Sequence, residues 1–316
     1  MRFVAVSASL AALVLGAACS SNPSPGSGSR PGSGRGPGQR DSMPGNKVIE
    51  NARPDLPARA GTLVVANQEG SSATVLNAAS LQTIATVPVG LGPHEVAVSR
   101  DGRWAVVSNY GDRTTEGNSL SVIDLAATTP VVSRTIDLGD YHRPHGLAFI
   151  GDGSRLAVTS ESRQRLVIVD FASGKVDTAL ATNGRGSHMV AVRRDGRRGW
   201  TANSQDGSVT EYDLDEMRTG RTYPAAPMNE GIAVTPGGVH LWVGSNSAHR
   251  VTVLDASKAT AIDTIGGFGF AYRLGISRSG DVAVVSDPTR NRIWLYAVGG
   301  TRKRLAEIDV GKVKGI

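Results

Sequence analysis

Five copies of one hairpin pattern, a spacing near 42 residues and the absence of any long helical period predict an all-β protein. The fold they predict is a single β-propeller of about six four-stranded blades. The first complete copy is GPHEVAVSRDGRWAVVSN, residues 92–109. It returns as RPHGLAFIGDGSRLAVTSE from Arg143, GSHMVAVRRDGRRGWTAN from Gly186 and MNEGIAVTPGGVHLWVGSN from Met228. A weaker copy, AYRLGISRSGDVAVVSD, starts at Ala271. Aligned on Gly102, Gly153, Gly196, Gly238 and Gly280, the copies stand 51, 43, 42 and 42 residues apart.

Each unit reads as four strands. Strand a (EVAVS in the first copy) meets strand b (WAVVSN) through an Asp-Gly, Gly-Gly or Ser-Gly pair, the chemistry of a tight hairpin. Strand c follows as SLSVIDL, RLVIVDF, SVTEYDL or RVTVLDA, and strand d is a β-branched run such as TIATVPVG. Strand b recurs over residues 63–67, 104–109, 156–161, 199–203, 241–246 and 282–287, which gives six blades. The first blade has no clear strand a. A truncated copy begins at Lys314, so the ring is expected to close by pairing of the termini, with residues before Gly61 helping; a degenerate seventh blade is the alternative.

Ahead of the repeats lies an address. MRFVAVSASLAALVLGAACS carries one basic residue, an apolar segment and small residues, the form of a secretory signal over residues 1–18. Its last cysteine, Cys19, is the chain's single cysteine and follows Leu-Gly-Ala-Ala, which resembles a bacterial lipobox and implies lipidation there. Ordinary signal-peptidase cleavage, giving a secreted or periplasmic protein, is the alternative. Residues 19–60 are rich in Gly, Ser and Pro and read as a disordered linker from a lipid anchor to a propeller over residues 61–316. One cysteine provides no disulfide framework, haem-attachment motif or thiolate metal site. The expected setting is extracytoplasmic, on a bacterial membrane.

The strand-b segments AVVSN, LAVTS, WTAN, LWVGSN and VAVVSD, with PHEVAVSRDG and VIDLAA, resemble the YVTN-type β-propeller repeat family over roughly residues 61–316. The resemblance implies an extracytoplasmic propeller and no single reaction. Distant relatives include propeller lactonases, streptogramin lyases and amine dehydrogenase heavy chains.

At the start of strand a, the register position of His94 is held in turn by His145, His188, Glu230 and Tyr272, the last followed by Arg273. In a propeller these positions converge on one mouth of the channel. Three imidazoles and a carboxylate suit zinc or a similar divalent ion, so His94, His145, His188 and Glu230 form a candidate metal set. Tyr272, Arg273 and His142, the last beside His145 in sequence, extend the candidate ligand-binding surface. Against this, strand residues alternate between faces, and histidines in register also serve as caps of blade interfaces. The blade of His94 has a long b–c loop, NYGDRTTEGNS, on the same face.

The net charge is +6, yet the basic residues are scattered with no aromatic-interleaved stripe, so nucleic acid is not an expected partner. The cluster Arg193, Arg194, Arg197 and Arg198 belongs to an a–b turn and so to the opposite face. Three functions follow. The first is a binding module whose top face takes a protein, glycan or small molecule. The second is a metal-dependent lactonase-like or lyase-like enzyme using the His/His/His/Glu arc. The third is a redox-associated propeller subunit. A divalent metal ion is the one cofactor these residues suggest.

Overall fold

The glycine pairs close the inner hairpins at the same place in blade after blade. The structure, a computed structural model, describes residues 4–8 and 61–311. Gly102, Gly153, Gly196, Gly238 and Gly280 adopt φ between 73° and 94°, and each donates its N–H to the carbonyl three residues back. An L side chain is disfavoured in that left-handed conformation and glycine is not. The turns therefore fix the register of the strands that follow.

Six four-stranded sheets result, with no helix among the described residues. The inner strands of blades 2 to 6 are Pro93–Val98, Pro144–Ile150, Ser187–Val192, Asn229–Val234 and the short Leu274–Ile276. The second strands are Trp104–Gly111, Arg155–Ser160, Arg198–Asn203, His240–Ser245 and Val282–Asp287, each within two residues of its expected limits. Pairing in these five blades is antiparallel throughout.

Blade 1 is built differently. Its strands Thr62–Asn67, Ser72–Asn77 and Thr83–Pro88 pair antiparallel, but its inner position is taken by Val4–Ala8, parallel to Thr62–Asn67. The sequence reading put residues 4–8 in a signal peptide and looked to the C-terminus to help fill this position. The partial copy at Lys314 lies outside the described residues, as do Cys19 and the linker.

Strand alternation sends successive side chains to opposite neighbours, and the core is a series of apolar layers between blades. Val106, Leu120 and Val122 of blade 2 meet Leu156, Val158 and Val167 of blade 3. Similar layers join blades 1 and 2, 3 and 4, 4 and 5, and 5 and 6. One second-strand position faces the next blade each time: Val64, Val106, Ala157, Trp200 and Trp242 are all at most 2% exposed. Trp200 and Trp242, at equivalent positions of blades 4 and 5, are thus packing residues. In blade 6 the same position is Val284, and it is 37% exposed. The junction between blades 6 and 1 is the thinly packed one.

Candidate functional site at the channel mouth

The inner strands of blades 2 to 5 enter from the top through a left-handed residue: Gly92, Arg143, Gly186 and Met228 have φ between 48° and 70°. Their carbonyls accept the N–H groups of Tyr110, Glu161, Ser204 and Asn246, the residues just past the second strands' paired ends. Two side-chain positions per blade are thereby aimed at the mouth. One is occupied by His94, His145, His188, Glu230 and Tyr272; the other brings Tyr110, Glu161 and Asn246.

The three histidines lie side by side. The rings of His94 and His145 are 4.0 Å apart between centroids, and those of His145 and His188 are 3.8 Å apart. His188 is gripped from both ends: Nδ1 lies 2.5 Å from Glu161 Oε1 and Nε2 lies 2.5 Å from Glu230 Oε2. Burial disfavours its charged form, but the two carboxylates prevail and its pKa is pushed up to about 9. Burial also opposes ionisation of Glu161, yet the contacts with His188 and Tyr110 hold its carboxyl below the usual range. The Tyr110 hydroxyl donates to Glu161 Oε2 at 2.5 Å, and burial with that neighbouring charge raises the phenol's pKa.

His145 has the opposite environment. It is 1% exposed, and neither ring nitrogen makes a hydrogen bond of normal geometry, although the His188 backbone lies close enough to favour the protonated ring weakly. Burial, then the neighbouring His188, His94 and Arg273, keep it neutral, well below the ordinary histidine value.

Arg273 completes the arc. Its Nη2 donates to Glu95 Oε1 at 2.6 Å, its Nη1 lies 3.9 Å from Glu230 Oε2, and its guanidinium covers the Tyr272 ring at 4.0 Å. Burial works against the charged guanidinium, and Glu95 and Glu230 more than offset it, so its pKa is raised. Glu95 Oε1 in turn lies 3.6 Å from His94 Nδ1. The result is a closed circuit through blades 2, 3, 4, 5 and 6: His94, His145, His188, Glu230, Arg273, Glu95 and back to His94. Asn246 donates to Glu230 Oε1 at 3.3 Å.

The structure brings together His94, His145, His188, Glu230, Tyr272 and Arg273. His142 stands apart on the rim, 3.9 Å from Glu116 on the long hairpin of blade 2. That hairpin is a regular extension: Gly111 pairs with Glu116, and Asp112 accepts from the N–H groups of Thr114 and Thr115. Glu116 also meets Arg143, whose guanidinium lies over Tyr110.

Glu95, Tyr110 and Glu161 were missed in the sequence, whereas Arg273 was among the expected residues. Glu95 and Arg273 share a register position that Gly146 and Gly231 occupy elsewhere, and a side chain on either glycine would collide with the next blade's backbone. The charged replacements were the available signal. Tyr110 and Glu161 share the position just past the second strand's last pair with the inner strand, and aligning that corner across blades would have exposed them.

Two clusters have ligand atoms within 4.8 Å of one another: His94, Glu95 and His145, and His145, Glu161 and His188. His145 belongs to both. Glu95, Glu161 and Glu230 lie beside the Arg273 guanidinium and the His188 imidazolium. A buried neutral imidazole flanked by carboxylates suits a divalent cation.

Comparison with known proteins shows the fold. No family model matches the chain. A stretch of 174 residues, 54% of the chain, is 27% identical to hydrazine synthase subunit beta of Kuenenia stuttgartiensis. The match spans 38% of that protein's length. Among solved structures, Kuenenia stuttgartiensis hydrazine synthase superposes with a TM-score of 0.53 at 18% identity, over 77% of this chain and 93% of that one. A candidate 6-phosphogluconolactonase from Bacteroides uniformis superposes with a TM-score of 0.65 at 16% identity, over 78% and 81%. The chain is a six-bladed β-propeller. At these identities the structural likenesses carry architecture and no activity.

Proposed function

We propose that this chain is an extracytoplasmic β-propeller of the YVTN type that binds a divalent transition-metal ion at its channel mouth, and that it is lipidated at Cys19, a processing that would remove Val4–Ala8 with the signal and leave the inner position of blade 1 to another segment. On this reading it acts as a binding module, and the ion is its means of holding a small ligand on the top face. The observation that carries the reading is His145, buried among His94, His188, Glu95 and Glu161 with neither ring nitrogen in a hydrogen bond of normal geometry. Leaving buried polar atoms unsatisfied costs about 1–3 kcal/mol each, a cost a metal bond removes. His145 with His188 and Glu161, or with His94 and Glu95, would hold the ion. When bound it supplies a Lewis acid. The chain's residues orient it: Tyr110 donates to Glu161, and Asn246 and Arg273 steady Glu230.

The hydrolase or lyase reading uses the same residues but needs room for an ester beside them. The near-complete burial of His145 favours binding over turnover. The redox-subunit reading draws on the likeness to hydrazine synthase subunit beta, and with one cysteine at position 19 it needs a partner to bring the cofactor.

The test is calorimetric titration of tag-free full chain with zinc and manganese. One site per chain is expected, with affinity reduced at least tenfold in H145A and in E161Q. Equal affinity in H145A and the parent overturns the metal reading. The anchor is tested separately: C19S should move the chain from the membrane fraction to the soluble fraction, and unchanged membrane association overturns lipidation.

A further inference from the structure

The opposite mouth of the channel carries a second pattern. The turn that joins each inner strand to the next has one position directly after its first residue. Blades 2 to 6 place Arg100, Gly151, Arg194, Pro236 and Arg278 there, two residues before the turn glycine in every case. Arginine thus recurs on alternate blades 2, 4 and 6. The intervening blades offer residues with little or no side chain to screen it.

All three arginines are exposed, and none makes an ion pair or side-chain hydrogen bond among the described residues. Arg100 and Arg194 line one depression on this face, on either side of Gly151. The acidic residues of the same turns are engaged elsewhere. Asp101 accepts from Ser99 and the Arg103 N–H, Asp152 from the Ser154 N–H, Asp195 from Arg193, and Asp281 from Ser277. Asp152 and Asp195 line the same depression and keep their charge, but neither pairs with Arg100 or Arg194, and with Arg193 beside them the basic side chains outnumber the acidic ones there.

Gly61, the first residue of the second described segment, lies on this face as well. The Ala78 N–H donates to the Gly61 carbonyl, as the Leu125, Phe171, Leu214 and Ala256 N–H groups do to Arg103, Ser154, Arg197 and Val239. Gly61 therefore sits just past the turn position, where residues 20–60 join the blade. Those residues carry six basic side chains and three acidic ones.

We propose that this face is a docking surface for anionic phospholipid headgroups, with Arg100, Arg194 and Arg278 as its contacts. The propeller would then lie against the membrane with the histidine mouth turned outwards. The orientation rests on the lipid-anchor reading of Cys19; the attraction itself does not. Each arginine near an anionic bilayer contributes about fivefold in partition, and the attraction is screened by salt.

The experiment uses the full chain carrying C19S, so that no lipid anchor contributes. Cosedimentation is measured with phosphatidylglycerol-rich and with pure phosphatidylcholine vesicles. Binding to the first alone is expected, weakening as salt rises. The variant R100A/R194A/R278A, with an unchanged thermal midpoint, should lose about a hundredfold while its basic linker stays intact. Equal binding by the triple variant, or none by the C19S chain, overturns the proposal. Release by millimolar inorganic phosphate at constant ionic strength would also overturn it, because the site would then recognise free phosphate and not a surface. Membrane association of the parent chain that fails only in C19S would leave the anchor standing and this surface refuted.

Discussion

Glu95 and Arg273 stand 178 residues apart in sequence and 2.6 Å apart in space, joining blades 2 and 6 across the channel mouth. Blade 1 lies between them in the ring. Packing at its junction with blade 6 is thin, so this ion pair is a principal tie between the first and last complete inner hairpins. Removing one partner of a buried pair costs about 3–5 kcal/mol when the other is left uncompensated, an upper bound here because Arg273 keeps Glu230 and Glu95 keeps His94 as neighbours. Glu95→Gln and Arg273→Ala should each lower stability towards that range. The double variant should lose clearly less than their sum, by more than about 0.5 kcal/mol, in a urea-unfolding cycle. Simple additivity would mean that the two residues do not act as a pair.

The same junction predicts a contrast between two valines in equivalent positions. Val106 is fully buried against blade 3, and Val284 is 37% exposed on the face of blade 6 turned away from blade 5. Val106→Ala should cost about 2–3 kcal/mol, from lost apolar burial and the cavity left behind. Val284→Ala should cost less than about 1 kcal/mol. Equal losses in chemical denaturation would show that blade 6 is as tightly packed on that face as elsewhere.

The inner turns make a third prediction. Gly196 has φ of 80°, and a Cβ on it would lie 2.5 Å from the Gly151 backbone of the adjacent blade. Gly196→Ala should destabilise by more than about 1 kcal/mol. Gly275, where a Cβ meets nothing within 4 Å, should accept alanine with a change within about 0.5 kcal/mol. Thermal unfolding midpoints compare the two directly.

Protons should report on the mouth. With a pKa of about 9, His188 is protonated at pH 7, held so by Glu161 and Glu230. A metal ion bonds only the neutral ring, so binding at pH 7 should expel about one proton, and affinity should rise as pH rises towards 9. Calorimetry in buffers of different ionisation enthalpy measures that proton. Zinc binding with no proton released would mean that His188 is not displaced from its carboxylates.

The propeller was legible because its signals are periodic. Turn glycines recur in blades 2 to 6 and strand-ending aspartates in blades 2 to 5, and the second strands fell within two residues of expectation. The inner strand of blade 1 was harder, since Val4–Ala8 belongs to no repeat. Register alone brought His94, His145 and His188 together. It did not reveal what each ring touches, because Glu161 and Tyr110 reach the mouth from the next corner of the blade, and Glu95 meets Arg273 only after the ring is formed. One strand position thus holds a histidine kept neutral, His145, and one kept charged, His188. Their partners, set by three-dimensional neighbours, make that difference.

The decisive measurement is anomalous diffraction at the zinc edge from crystals of the tag-free chain soaked in zinc. The expected result is one peak at the channel mouth about 2.0–2.1 Å from a ring nitrogen of His145, with His188 drawn from Glu230 or His94 from Glu95. A mouth without a peak, with His94, His145 and His188 still stacked and His188 still between Glu161 and Glu230, would contradict a metal-binding role for this propeller.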